Sequence, residues 1–349
     1  MSTSGRSVRG NPSGQAHPTE TPMQAMVQET YGPADVLHLA RISRPVFGPE
    51  DVLVRVHAAG LDRGTWHVTT GLPYALRLAY GMRAPKNPVP GLDLAGTVAA
   101  VGAAVTRFSI GDEVYGFGKG SFAEFAAASE KKLARKPANL TFVQASAVPV
   151  SASTALQALR AAGPIMQGQK VLILGASGGV GGYAVQLAKS AGAVVTGVSS
   201  TAKMDLVRFL GADHVIDYTR QDFAGGGDRY DLILDIAGNP TLSRLRNALT
   251  PSGTAVIVGG EEGGSWTGSM DRQLRALVLS PFISQRLTTV VGKENAADLE
   301  HLRVLIEAGT LRPVIDRTYT LEQTPEAMRY FEAGKARGKI VIIVRPHSA

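Results

Sequence analysis

Leu172-Ile173-Leu174-Gly175-Ala176-Ser177-Gly178-Gly179-Val180-Gly181 is the stretch whose reading decides the fold: an apolar run, a glycine turn, and the start of a helix-patterned segment. A short apolar run with no polar alternation reads as a strand buried on both faces. Beyond it, Val194 to Val198, His214 to Tyr218, Asp231 to Ile236 and Thr254 to Val258 read as further buried strands. Between them, Val180 to Ala191, Ala202 to Leu210 and Thr241 to Leu249 read as helices. Alternation at this spacing predicts parallel strands joined by crossover helices, a doubly wound α/β sheet.

The sequence before this block has another texture. Residues 1 to 22 are rich in Ser, Thr, Gly and Pro and lack apolar periodicity, so a disordered tail is expected; the amphipathic face of an organelle-targeting peptide is missing. From Met23 to Phe125, short strand-like runs are divided by Gly and Pro: Gln24 to Glu29, Asp51 to Ala58, Gly96 to Val101, Asp112 to Phe117 and Phe122 to Ala127. Val52, Val54 and Val56 alternate with Leu53, Arg55 and His57, the period of a two-faced strand. Thr141 to Gln144 has the capping-box pattern, and a helix over Thr154 to Ala162 stops at Gly163-Pro164. Near the end, Leu299, Leu302 and Ile306 share a helical face closed by Gly309, Pro325 opens a last helix, and Ile340 to Val344 reads as a strand. Since strand-like text returns after the α/β block, residues 23–149 and 311–349 are expected to form one β-rich domain, with 150–310 inserted in it.

At 349 residues, 44% of them hydrophobic and 19% charged, the chain has room for two filled cores. There is no cysteine, which excludes disulfides, thiolate catalysis and sulfur-ligated zinc. The net charge of +7 is spread without an aromatic-basic cluster, so a nucleic-acid partner is not expected and some attraction for anionic ligands is. No run reaches membrane-spanning length and no signal-peptide block is present, so neither a membrane nor export is expected, and the location read is cytoplasmic.

Read as a dinucleotide fingerprint, Ala176, Gly178 and Gly181 hold the three small-residue positions, with Ser177, Gly179 and Val180 between them. The following helix would aim its free N–H groups at a diphosphate. An NAD enzyme usually places a carboxylate after the second strand; here the chain reads Ser199-Ser200-Thr201-Ala202-Lys203, hydroxyls and an ammonium that suit a 2′-phosphate. NADPH is therefore the expected cofactor, although Ser200 or Thr201 also fits a plain helix cap.

Pro90-Gly91-Leu92-Asp93-Leu94-Ala95-Gly96, Gly111-Asp112-Glu113-Val114, Ala147-Val148-Pro149 with Thr154-Ala155, and Gly175 to Gly181 together resemble the medium-chain dehydrogenase/reductase superfamily, over about Met23 to Val344. The resemblance implies a Rossmann sheet inserted in a GroES-like substrate-binding domain. Zinc alcohol dehydrogenases of that superfamily carry a Cys and a Gly-His-Glu motif where this chain reads Gly60-Leu61-Asp62 and Gly91-Leu92-Asp93, and their four-Cys lobe is absent. Leu92 cannot ligate, and the ligand types Asp62, His67 and Asp93 lack a metal-site spacing. The chain thus resembles the zinc-independent quinone oxidoreductase and enone reductase branch, which implies a quinone, enone or other carbonyl substrate.

The branch further implies a loop facing the nicotinamide, here Gly60 to His67 and Gly71 to Tyr74. Tyr74 offers an aromatic face and a hydroxyl donor, and His67 a group that donates or relays a proton near neutral pH. Asp62 is read as orienting a ribose or nicotinamide group, or His67. Tyr218 resembles a residue beside the adenosine, and Arg286 to Val291 the edge strand through which relatives form homodimers. A zinc-free NADP-dependent alcohol dehydrogenase or carbonyl reductase, and a non-catalytic NADPH-binding protein, are the competing readings.

Overall fold

The computed structural model describes residues 22–236, 238, 240–259, 264–268 and 270–345. The expected N-terminal tail lies outside them but for Pro22, which begins a strand. In chain order the first half holds β1 (Pro22–Val27), β2 (His38–Ser43), β3 (Asp51–Leu61), α1 (Arg63–Thr70), the single turn α2 (Arg77–Tyr80), β4 (Asp93–Val101), β5 (Glu113–Phe117), β6 (Phe125–Ser129) and β7 (Leu133–Arg135). Then come α3 (Phe142–Ser146), α4 (Pro149–Ala162), β8 (Lys170–Leu174), α5 (Gly179–Ser190), β9 (Val194–Ser199), α6 (Met204–Phe209), β10 (His214–Asp217), β11 (Tyr230–Asp235), α7 (Leu242–Ala248) and β12 (Leu249–Ile257). The chain closes with α8 (Met270–Leu279), β13 (Arg286–Thr289), α9 (Ala296–Glu307), β14 (Ile315–Thr320), α10 (Thr324–Glu332) and β15 (Lys339–Ile343).

Two large sheets result. One is parallel, in the order β10-β9-β8-β11-β12-β13; the other runs β14-β15-β3-β4-β5-β7, with β6 also on β3. Strand β15 pairs antiparallel with β3, so the end of the chain does return to the sheet of the first half. The capping box at Thr141 and Gln144 forms, and Leu299, Leu302 and Ile306 are buried along α9.

Several elements differ from the sequence expectation: β2, β7, β14, α1 and α8 fall in stretches not read as strand or helix, and α4, β10 and the stretch 202–210 differ in extent, burial or type. Helix α4 begins at Pro149, five residues before Thr154, because Ser151, Ala152 and Ser153 are small enough to be buried against the neighbouring elements. Strand β10 is only partly buried, since it ends its sheet. The stretch 202–210 is a 3-10 turn followed by α6 rather than one helix.

One core spans both halves. Ala95, Tyr115 and Phe117 of the first sheet, Val148 to Leu159 around α4, Tyr183 to Ala188 of α5 and Leu299 to Ile306 of α9 pack in a single cluster. Polar groups inside it are matched across the joint: the Tyr115 hydroxyl donates to Leu299 O at 2.7 Å and the Tyr183 hydroxyl to Ala147 O at 3.1 Å. This continuous packing brings the glycine turn beside Gly338 and Lys339 at the start of β15.

Candidate functional site

The glycine turn follows β8. Gly175 takes φ +83°, a conformation that side-chain-bearing residues rarely adopt, and Ala176 is fully buried. A Cβ on Gly181 would lie 2.1 Å from Gly175 O, so only glycine lets α5 pack this closely on its strand. At Gly178 the nearest contact of such a Cβ is Gly175 O at 3.5 Å, which leaves the approach to the turn open. Gly178 caps α5 without a side-chain hydrogen bond, so its first N–H groups keep their capacity for an anion. A cradle closed below by Gly181 and open above Gly178 fits a diphosphate. Ser177, Gly178 and Gly179 also line a narrow cleft with Gly338 and Lys339 from the far end of the chain.

Parallel pairing of β9 with β10 sets Ser199 against Asp217 and gathers the second group. Tyr218 N–H donates to Ser199 O at 3.1 Å while its ring stays exposed. The Ser199 hydroxyl donates to Ser200 O at 3.3 Å, and Ser200 makes no cap with its side chain. Thr201 instead donates its hydroxyl to Asp217, a carboxylate that ends the next strand rather than following β9 and so lies outside the usual position of a ribose-binding acid. Hydrogen bonds from Thr201 and Thr219 hold Asp217 below the usual carboxylate range. Lys203 Nζ reaches Gly334 O at 2.8 Å, so this end of the cleft also has a wall from the segment 334–338, which carries Lys335 and Arg337. Arg337 is paired with Asp205 at 3.0 Å.

In the loop after β3, Asp62 is the N-cap of α1: one oxygen accepts from Thr65 N–H at 2.8 Å and the other from the Thr65 hydroxyl at 3.3 Å. The carboxylate is engaged in shaping the loop rather than reaching His67. His67 Nδ1 donates to Leu72 O at 2.6 Å, which fixes the tautomer and leaves Nε2 as an acceptor in the neutral ring. Burial lowers the His67 pKa; Arg63 adds to this, while the Leu72 bond and Asp62 oppose it. The expected donor is therefore neutral at pH 7 and accepts there.

Tyr74 is placed by partners far along the chain. Its N–H donates to Ser265 O at 2.8 Å, Ala75 N–H donates to Trp266 O at 3.0 Å, and the Tyr74 and Trp266 rings meet edge to face at 5.3 Å. The Arg77 guanidinium lies 4.7 Å from the Tyr74 ring centroid. Among the described residues the Tyr74 hydroxyl has no partner, which leaves it for a ligand.

Two buried ion pairs escaped the sequence reading. Asp93 accepts from Lys339 Nζ at 3.1 Å and from Val150 N–H at 2.7 Å, joining β4, β15 and the start of α4. Gly60 is required beside it, since a Cβ there would meet Ser146 O at 2.5 Å and Asp93 Oδ2 at 2.8 Å. Burial pushes the Asp93 carboxyl up to about 7 against the pull of Lys339. Asp235, at the end of β11, is fully buried against Arg272 of α8, and burial raises its pKa likewise. Neither pair leaves a local pattern; a Lys or Arg amid apolar text, as in Gly338-Lys339-Ile340-Val341, is the one hint. Leu92 packs on the core, and among the described residues no three His, Cys, Asp or Glu are placed to hold a metal. Nor is any described helix long and apolar enough to cross a membrane.

Comparison with known proteins matches residues 48–138 to the alcohol dehydrogenase GroES-like domain and residues 210–342 to a family described as zinc-binding dehydrogenase. The chain is 33% identical to a 2-methylene-furan-3-one reductase of Solanum lycopersicum, over 92% of this chain and 79% of that protein. It is 32% identical to a chloroplastic NADPH-dependent alkenal/one oxidoreductase of Arabidopsis thaliana, over 93% and 80%. Among solved structures, a quinone oxidoreductase from Coxiella burnetii superposes with a TM-score of 0.82 at 28% identity, covering 93% of this chain and all of that one.

Proposed function

The chain belongs to the medium-chain dehydrogenase/reductase superfamily, in its zinc-independent quinone oxidoreductase-like branch, and from that premise we propose that it transfers hydride from NADPH to a quinone or an α,β-unsaturated carbonyl. The observation that carries this reading is the open cradle over Gly178, and the Tyr74 hydroxyl, without a partner among the described residues, supports it from the substrate loop. Ala176 to Gly181 hold the diphosphate, Ser199 and Tyr218 border the adenosine, and Ser200 with Lys203 takes the 2′-phosphate. Bound NADPH supplies the hydride.

The protein's own share is mostly positioning. Holding donor and acceptor carbon in register is worth up to about 7–11 kcal/mol of barrier in well-oriented cases. The Tyr74 ring lies against a planar acceptor while its hydroxyl donates to the oxygen that gains charge. His67, neutral and bound to Leu72 O, presents Nε2 as an acceptor that orients substrate or water. Asp62 shapes the start of α1, upstream of both.

Residues 23–149 and 311–349 serve as the substrate-binding domain and 150–310 as the NADP-binding domain, in a cytoplasmic homodimer. Support for the dimer is that, among the described residues, β13 ends its sheet beside α8, whose Met270, Leu274, Leu277 and Val278 are exposed. Light scattering that finds monomer alone at working concentration rejects it.

The activity is tested by following NADPH oxidation over a panel of quinones, enones and aldehydes, with NADH and with chelator. Turnover of quinones or enones, preference for NADPH and indifference to chelator are expected. NADP-linked alcohol oxidation as the dominant activity moves the chain to the zinc-free alcohol dehydrogenases, and NADPH binding without turnover of any acceptor removes the enzyme reading.

A further inference from the structure

Arg272 lies on α8, outside both the glycine turn and the substrate loop. Its side chain is 15% exposed and reaches four acceptors: Asp235 Oδ2, Pro240 O at 3.0 Å, Gly259 O at 2.8 Å and Gly238 O at 3.4 Å. Those acceptors belong to the ends of β11 and β12 and the loops that leave them. In the sheet register Leu174, Asp235 and Ile257 stand abreast, so both loops leave from the same edge as the glycine turn that begins at Gly175. That carboxyl edge is where a doubly wound sheet holds its dinucleotide. Stability alone is a weak reason for the pair, since an apolar pair of similar volume often does as well in a core.

The same helix has a second attachment. Just ahead of it, the turn Gly264 to Gly268 gives the Ser265 and Trp266 carbonyls to Tyr74 N–H and Ala75 N–H, and a Cβ on Gly268 would stand 3.0 Å from Pro73. Helix α8 is thus tied to the loops after β11 and β12 by Arg272 and to the substrate loop by the turn that precedes it.

We propose that Arg272 is a positioning residue for hydride transfer: its guanidinium fork sets the two loops that flank the nicotinamide end of the cofactor and, through α8, the place of Tyr74 relative to that end. The proposal rests on the hydride-transfer reading above. A misplacement of about 1 Å in such a site can cost about 10²-fold in rate. The diphosphate cradle and Lys203 lie outside this linkage, so cofactor affinity should survive where turnover does not.

The test uses Arg272→Lys, which keeps the charge and loses the fork, and Asp235→Asn, which keeps an acceptor and loses the charge. Three quantities are read for each: the dissociation constant of NADPH by fluorescence, kcat and KM for the best acceptor, and the energy transfer to bound NADPH from the two tryptophans, Trp66 and Trp266, with a Trp66→Phe background to isolate Trp266. Both variants should bind NADPH within about threefold of the parent, lose at least tenfold in kcat, and show altered energy transfer. A variant that keeps kcat and energy transfer while only its melting temperature falls overturns the proposal, as does an Arg272→Lys chain that does not fold, which assigns Arg272 to the core. Should the parent chain turn over no acceptor, the hydride-transfer reading fails first. The energy-transfer comparison then still decides whether Arg272 places the cofactor.

Discussion

On the proposed cofactor side, ten consecutive residues, Leu172 to Gly181, supply a strand, a turn and a helix end without a side-chain cap, and backbone N–H groups are the parts offered to a ligand. On the substrate side, Tyr74 stands where it does because Ser265 and Trp266 hold its loop, and Asp93 is kept in place by Lys339, 246 residues away. A site made of backbone is local: its demands fall on adjacent positions, chiefly the absence of side chains at Gly178 and Gly181. A site made of side chains depends on contacts between segments that meet only in the folded chain. The first should therefore resist distant substitutions that derange the second.

The largest effect expected from this contrast is at the joint itself. Asp93 has its pKa raised by burial, so its contribution to stability is full below the unfolded value near 4 and is lost as pH rises through about 7. In Lys339→Met the folded pKa rises further, and the loss continues to higher pH. Relative to the parent, the variant should be little changed at pH 5 and lose about 1.4 kcal/mol per pH unit above about 7, toward the roughly 3–5 kcal/mol that an unpaired buried charge costs. Adding Asp93→Asn should restore most of that loss. Denaturant titrations at pH 5, 7 and 9 check this, and a loss that is equal at all three would show that Lys339 acts by packing rather than by charge.

Next comes the hydroxyl on the assembled wall. Tyr74→Phe keeps the ring against Trp266 and removes the donor, so turnover should fall about 10²-fold, near 2.7 kcal/mol, with NADPH binding unchanged. Steady-state rates beside a fluorescence titration separate the two quantities. Unaltered turnover would leave the enzyme working by cofactor positioning alone.

The same contrast governs what could be read in advance. The parallel sheet and its turn were legible because apolar runs and glycines mark them locally, and the return of β15 to the first sheet showed in its strand-like text. Where side chains pair across the fold, the text is silent: Asp217 ends β10 rather than β9, away from the position where a ribose acid is sought, and nothing around Met270-Asp271-Arg272 singles out Arg272. Asp62 was read by its chemical type, whereas its place before Arg63–Thr70 makes it a cap. The tautomer of His67 depends on Leu72 O, a contact that follows from how α1 ends at Gly71.

A smaller effect should sharpen the cofactor side. Lys203 is half-buried and already bonded to Gly334 O, so a 2′-phosphate gains only the excess over that contact. Lys203→Ala should raise the KM for NADPH about fivefold, roughly 1 kcal/mol and below the usual range for a charged hydrogen bond, and leave that for NADH unchanged. Equal effects on both cofactors would move phosphate recognition to Lys335 and its neighbours.

The smallest effect concerns His67 and is a matter of pH. Its folded pKa lies below the ordinary imidazole value near 6.5, with burial the largest cause, so the folded chain binds fewer protons there than the unfolded chain. The stability that neutral His67 contributes is therefore present above about 6.5 and lost as pH falls through the folded value. Activity should follow the same sign, because protonation converts Nε2 from acceptor to donor while Nδ1–H remains on Leu72 O. From pH 7 to pH 5.5, kcat/KM should decline by less than about tenfold along an acid limb of unit slope. His67→Gln removes the titrating group, so its profile should be flat over that interval with a uniformly lower rate. Persistence of the limb in His67→Gln would transfer it to another group, and a rate that rises toward acid in the parent would mean that the imidazolium donates a proton after all.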